Sequence, residues 1–170
     1  MAEAAADYTR KLSFLVIANA MAVLFIGLVA GVLLVFSLLD AIALWPLPAI
    51  DVSIPGSTRG WQASHVGGIL NGVMIAGVAW LMVWLRLDGS AARWVGWGMI
   101  YTGWGNTVFY WAGNVAANRG LSAGSTVYGP SDIAGILAYL GGGSAMFFTF
   151  IAVFLLGRAA LARYRDADST

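Results

Sequence analysis

Residues 12–39 make a run of twenty-eight positions without one charged side chain. About 20 apolar residues suffice for a helix to cross the hydrocarbon of a bilayer. In that medium every backbone N–H and C=O must be satisfied within the segment, so such a run has to be helical. The polar exceptions are Ser13, Asn19 and Ser37, and Gly27-xxx-Gly31 offers a small-residue face for a neighbouring helix. The composition agrees: the chain is 60% hydrophobic and 10% charged, against roughly 25% charged residues in a soluble domain. The preceding MAEAAADYTRKL segment is acidic before it is basic, and the apolar run is too long for a signal-peptide core and lacks a persuasive cleavage site. We read it as a retained span.

Three further spans follow, over about 64–85, 94–112 and 133–157. Asp40 ends the first, and Trp45-Pro46-Leu47-Pro48 reads as a rigid interfacial connector. The second carries Gly68-xxx-Gly72. Arg86, Asp88-Gly89 and Arg93 form a short polar turn before the third, and a Gly/Asn/Ser-rich loop over 114–132 leads to the fourth. The expectation is an all-α integral membrane protein, a single bundle of four transmembrane helices over 1–170. Seven basic residues (Arg10, Lys11, Arg86, Arg93, Arg158, Arg163, Arg165) then fall on one side and two (Arg59, Arg119) on the other. The positive-inside rule puts both termini in the cytoplasm, with the chain in a bacterial inner membrane.

The composition also excludes whole classes of function. A net charge of +1 without a basic stripe argues against nucleic acid. With no cysteine there are no disulfides, thiolate metal sites or Cys nucleophiles. No Walker loop, nucleophile elbow or HExxH occurs. Asp40 and Asp51 read as loop residues, and Asp132 as the N-cap of the fourth helix.

The informative stretch is 54–72, IPGSTRGWQASHVGGILNG. It holds His65, the only histidine, at the mouth of an apolar helix, and Asn71 six residues further in. One His cannot build a protein-only zinc site. It does suffice as the single axial ligand of a haem, whose porphyrin supplies four nitrogens; the alternative is an imidazole satisfied by a backbone carbonyl. A bis-His haem within one chain is excluded. Arg59 and Arg119, on the same side as His65, are candidates for haem propionates or plain solvated arginines. On an ideal wheel the third span gathers Thr102, Asn106, Tyr110 and Gly113 on one face and Trp94, Trp97, Tyr101 and Trp104 on the other. Helix glue and aromatic belts explain each of these singly. The set, with His65 and Asn71, points to a site. His65 and Asn71 lie roughly 120° apart on that wheel, as if facing different neighbours.

These residues resemble a known family. PGS-x-x-GW-x-x-x-H-x-G-x-x-LNG over 55–72, GW-x-N-x-x-FY over 103–110, NRGL over 118–121 and YGP-x-D-I over 128–133 are similar, in order and spacing, to styrene oxide isomerase. The resemblance runs over about 54–156. It implies a homotrimer with ferric haem b between subunits, held through His65, whose iron acts as a Lewis acid on an epoxide oxygen. It implies that Asn71 and Tyr110 hold that oxygen, and that the reaction is the Meinwald rearrangement of an aryl epoxide to an arylacetaldehyde with a 1,2-hydride shift. Thr102 stands where the family pattern leads us to expect an aspartate; Thr102, Asn106 and Trp104 are pocket candidates. Two other readings stand beside this one. The first is a non-catalytic membrane haem-binding protein. The second is a small four-helix transporter subunit, weakened by the lack of a mid-span ionisable group.

Overall fold

The structure is a computed structural model that describes residues 2–168. Four helices dominate it: α1 Ala2–Leu39, α2 Thr58–Trp84, α3 Gly89–Val115 and α4 Ile133–Ala167. Three of them, α1, α2 and α4, are long and apolar enough to cross a membrane. The 27 residues of α3 would extend about 40 Å, but glycine, tryptophan and the polar Tyr101, Thr102, Asn106 and Thr107 dilute its hydropathy. The four spans expected on length are therefore three on hydropathy. The protein is an all-helical membrane protein.

The helices outrun the expected spans. α1 begins ten residues before the charge-free run, and α4 continues ten past residue 157. Inside the bilayer helix is compulsory, and beyond it the Ala- and Arg-rich ends have enough helix propensity to carry on. Between α1 and α2 the proline-bearing connector is closed at its base by a two-residue antiparallel ribbon, β1 Ala41–Ile42 with β2 Ile50–Asp51. Asp51 is thus a strand residue rather than a loop one.

Glycine sets how close α1 and α2 come. A Cβ built on Gly68 would lie 2.5 Å from the Cα of Gly27, and one on Gly72 would lie 2.6 Å from the Cβ of Leu24. The two small-residue motifs of the sequence therefore meet each other within one chain. α3 packs on α2 and α1, and α4 packs along α3. Val16 and Ala20 of α1, Ile75, Ala79 and Met82 of α2, Val95 and Met99 of α3, and Ala152 of α4 fill the seam between them. Large apolar side chains such as Phe14, Phe25, Phe147, Phe150 and Phe154 point outward. That reverses a soluble helix and suits a lipid-facing wall.

Neighbouring helices run antiparallel, so chain order fixes two ends. At one, the Thr9 hydroxyl donates to the Leu87 carbonyl (2.8 Å) and Arg163 Nε to the Leu85 carbonyl (3.2 Å). At the other, Ser37 and Thr58 share a hydrogen bond at 3.1 Å, and Ser57 N–H donates to Asn114 Oδ1 at 2.8 Å. The start of α1, the α2–α3 turn and the end of α4 carry the seven basic residues at the first end; Arg59 and Arg119 sit at the second.

Candidate functional site

The start of α2 is built by its own motif. Ser57 caps the helix, its hydroxyl accepting from Gly60 N–H at 3.0 Å. The buried Trp61 indole donates to the Pro55 carbonyl at 3.0 Å and meets Trp111 edge-on. These contacts tie the turn over 55–57 to the helix and to α3, so His65 and Asn71, about one and three turns beyond Trp61, sit on a rigid element.

His65 lies on the α1–α2 seam. Its Nδ1 is 2.9 Å from the Gly27 carbonyl oxygen, and its ring lies against Gly31, where a Cβ would come 2.5 Å from Nδ1. A carbonyl can only accept, so Nδ1 carries a proton, and in the neutral ring the lone pair is then on Nε2. Nε2 makes no hydrogen bond among the described residues. A main-chain carbonyl on one nitrogen with the other left basic is the usual support of a metal-bound histidine. Among the described residues no three of His, Cys, Asp and Glu gather to hold a metal without a prosthetic group. His65 is thus the residue that could serve as the single axial ligand of a haem.

Asn71 lies on the other side of α2, facing α3. Its Nδ2 donates to the Gly67 carbonyl at 2.7 Å, and its Oδ1 accepts from Asn106 Nδ2 at 2.9 Å. These bonds fix the carboxamide and leave one N–H of Asn71 uncommitted. Gly67 also receives the ring of Tyr110, which lies where a Cβ would have to go. The Tyr110 hydroxyl has no hydrogen-bond partner among the described residues. Asn71, Asn106 and Tyr110 are thus brought together around Gly67, while His65 of the same chain is not brought to them.

The remaining candidates are spread more widely. Thr102 is fully buried on the α3–α4 seam, donating to the Ala145 carbonyl at 3.2 Å and lying 3.1 Å from the Thr149 hydroxyl. Trp104 is partly exposed, its indole donating to Asn19 Oδ1 of α1 at 2.9 Å. Arg59 and Arg119 line one groove of about 510 Å³ that also includes Tyr110 and Asn114. A larger groove, about 730 Å³, runs along the aromatic face of α3 past Trp94, Trp97, Tyr101 and Trp104. Of the predicted site residues it reaches Trp104 alone.

Arg119 is held by the loop after α3. Asn118 is fully buried, its Nδ2 donating to the Ser122 carbonyl at 2.8 Å and its Oδ1 accepting from Gly120 N–H at 3.0 Å. Arg119 and Gly120 both adopt the left-handed backbone region, with φ of 61° and 69°. At Gly120 a side chain would also strike Ala138. Asp132 caps α4 through Gly135 N–H (2.7 Å) and also takes Ala117 N–H (3.2 Å). Those two bonds, Gly135 first, hold its carboxyl below the ordinary value.

Two participants escaped the sequence reading. Asn114 was expected to open a loop, but α3 continues through Val115 and carries it on the helix. Gly67, the platform for both Asn71 and Tyr110, enters the sequence reading only as a position of the H-x-G motif, with no role given to it. Its position four before Asn71 was the available signal, since Asn71 could reach only an i−4 carbonyl within its own helix.

The class these observations define is a helical membrane protein with an imidazole on one helix seam and an amide–phenol cluster on the next. The styrene oxide isomerase family model matches residues 12–161. A styrene-oxide isomerase of Pseudomonas fluorescens is 34% identical over 119 residues, which cover 64% of this chain and 70% of that protein. The chain belongs to the styrene oxide isomerase family and is an epoxide isomerase.

Proposed function

We propose that the protein converts aryl epoxides of the styrene oxide type to arylacetaldehydes by a Meinwald rearrangement, using ferric haem b bound through His65. The observation that carries the cofactor reading is the His65–Gly27 hydrogen bond, which leaves Nε2 as a neutral donor. When bound, the haem supplies a Lewis-acidic iron for the epoxide oxygen.

The chain's own residues do the rest. The uncommitted N–H of Asn71 and the free Tyr110 hydroxyl are the two donors for the epoxide oxygen as it gathers negative charge. They are oriented in advance by Gly67 and Asn106, so little reorganisation is needed as the bond breaks. The benzylic C–O bond opens, a hydride moves from the adjacent carbon to the benzylic one, and the oxygen-bearing carbon becomes the aldehyde. Atoms balance without a co-reactant. Water would trap the cation as a diol, so burial of Asn71 protects the outcome.

His65 faces α1, whereas Asn71 faces α3 and Tyr110, on α3, packs against Gly67 of α2. One chain's histidine and its neighbour's amide–phenol cluster would complete a site, which supports the homotrimer with interfacial haem that the family resemblance implies. Both termini lie in the cytoplasm of a bacterial inner membrane in this reading, from the charge distribution between the two ends of the bundle. An apolar epoxide partitions into that bilayer and meets the site there.

The test is a visible spectrum of detergent-purified protein, wild type beside His65→Ala, followed by an assay of styrene oxide. A ferric Soret band lost in the variant, together with aldehyde formation, is the expected result. Tyr110→Phe and Asn71→Ala should stay red and turn over slowly. A wild type that stays colourless after haem is supplied would remove the cofactor; a red protein inactive on aryl epoxides would remove the substrate class.

A further inference from the structure

Arg59 and Arg119 come from different parts of the chain, the first turn of α2 and the loop after α3, yet line one groove of about 510 Å³. Neither makes a salt bridge among the described residues, and Arg119 meets the face of Tyr128 at 5.1 Å. That stacking steadies the guanidinium while leaving its N–H edge available. The Asp132 carboxylate is directed at the backbone N–H groups of Gly135 and Ala117 and makes no ion pair with either arginine.

Asn114 lines the same groove. Its Oδ1 accepts from both Ser57 N–H (2.8 Å) and the Ser57 hydroxyl (3.2 Å). A backbone N–H can only donate, so the carboxamide cannot be flipped. Its Nδ2 is thereby held in place, and it is buried without a hydrogen-bond partner among the described residues. Such an orphan costs about 1–3 kcal/mol unless something accepts from it. Gly56 and Gly60 crowd this amide so closely that a Cβ on either would overlap it. The amide is wedged in place rather than adrift.

Two guanidiniums without an ion pair and the N-terminal turn of α2 give the groove positive potential, and the orphan Asn114 N–H lies in its wall. Phe109, Tyr110 and Leu121 supply an apolar wall. We infer that this groove is a carboxylate-binding site, formed by Arg59, Arg119 and Asn114, for an apolar carboxylic acid. The shared chemistry has two sources, a propionate of haem or a free aryl carboxylate; the first rests on the cofactor reading above.

Two measurements on the full-length detergent-purified protein separate them. In the first, haem b and its dimethyl ester are loaded and their loss to excess apomyoglobin is timed. A propionate site predicts that the ester leaves at least tenfold faster. The double variant Arg59→Gln/Arg119→Gln should lose haem b as fast as the ester. In the second, phenylacetate is titrated calorimetrically into protein without haem, with 2-phenylethanol as the uncharged control. A site for a free carboxylate predicts saturable heat from phenylacetate alone, lost in the double variant. Asn114→Asp keeps the acceptor for Ser57 and turns the orphan donor into an acceptor; it should weaken whichever carboxylate binds by at least tenfold. Equal retention of haem b and its ester, with no saturable phenylacetate heat, overturns the site. A wild type that takes up no haem defeats the cofactor reading alone, and the phenylacetate titration then decides this one.

Discussion

Asn106 on α3 donates its amide to Asn71 Oδ1 on α2 across 2.9 Å, and so joins the Gly67 carbonyl in fixing which way the buried Asn71 carboxamide faces. Without that bond the Asn71 amide could rotate its oxygen toward the place where a developing oxyanion needs a donor. Asn106 is in this sense a positioning residue. Asn106→Leu should lower kcat about tenfold, the equivalent of one neutral hydrogen bond, and leave the Soret band and haem content as in wild type. Asn106→Asp retains an acceptor but no donor for Asn71 and should not rescue the rate. Unchanged turnover in both would remove Asn106 from the machinery.

Gly67 is required by Tyr110, whose ring occupies the space of a missing Cβ. Gly67→Ala should push the ring out of place while leaving the main-chain carbonyl for Asn71. We expect kcat to fall by one to two orders of magnitude with KM little changed, read from initial rates of aldehyde formation. Wild-type kinetics in this variant would mean that the phenol has no fixed position to lose.

Gly31 plays the corresponding part for His65, since a methyl there would meet Nδ1 at 2.5 Å. Gly31→Ala should displace the imidazole from Gly27 and weaken or abolish the Soret band, although position 31 contributes no ligand. A variant with unaltered haem retention would show that the ring tolerates displacement.

Thr102 ties α3 to α4 through Ala145 and Thr149. Thr102→Val is nearly isosteric and removes the hydroxyl from a fully buried seam, leaving the Thr149 hydroxyl with one partner fewer. The expected cost is about 1 kcal/mol, seen as a lower melting temperature in detergent. An equal or higher melting temperature would show the hydroxyl pair to be dispensable.

Acid should loosen the loop over 116–132 before the helices. The Asp132 carboxyl titrates below its ordinary value because Gly135 and Ala117 donate to its charged form. A depressed folded-state pKa means the stabilisation is complete above the ordinary aspartate range and is lost as pH falls through the lower, folded value. Asp132→Asn should remove that acid limb and retain a capping oxygen for Gly135. The measurement is amide hydrogen exchange of the loop against pH, in wild type and variant; identical acid profiles would contradict the assignment.

The readable part of this chain was the part that lipid dictates. The charge-free runs placed α1, α2 and α4, because hydrocarbon leaves a backbone few alternatives. Asp132 was readable as an N-cap for an equally local reason, a carboxylate just before an apolar run. His65 and Asn71 stood out because a polar group in an apolar helix needs a partner. The partners themselves were hidden. Gly27 and Gly67 act through carbonyls, which every residue possesses, so composition at those positions announces nothing beyond close approach. Asn114 was misplaced in a loop because Gly and Asn read as helix breakers, while its bond to Ser57 spans fifty-seven residues. The α3 boundary failed for the same reason: Tyr, Trp, Gly and Asn near its end are sustained by packing on α2 and α4 rather than by intrinsic propensity.

The Gly27–His65 bond has a consequence for how the site can change over time. Where a histidine is steadied by a carboxylate, a single codon change can swap the acceptor for an amide or delete it, and ligand strength drifts accordingly. Here the acceptor belongs to the main chain, which substitution cannot erase. Any change at position 27 keeps the oxygen and alters only the spacing of two helices. The electronic character of this imidazole is therefore inherited with the helix pair itself, and variation among descendants has to be sought in the surrounding pocket.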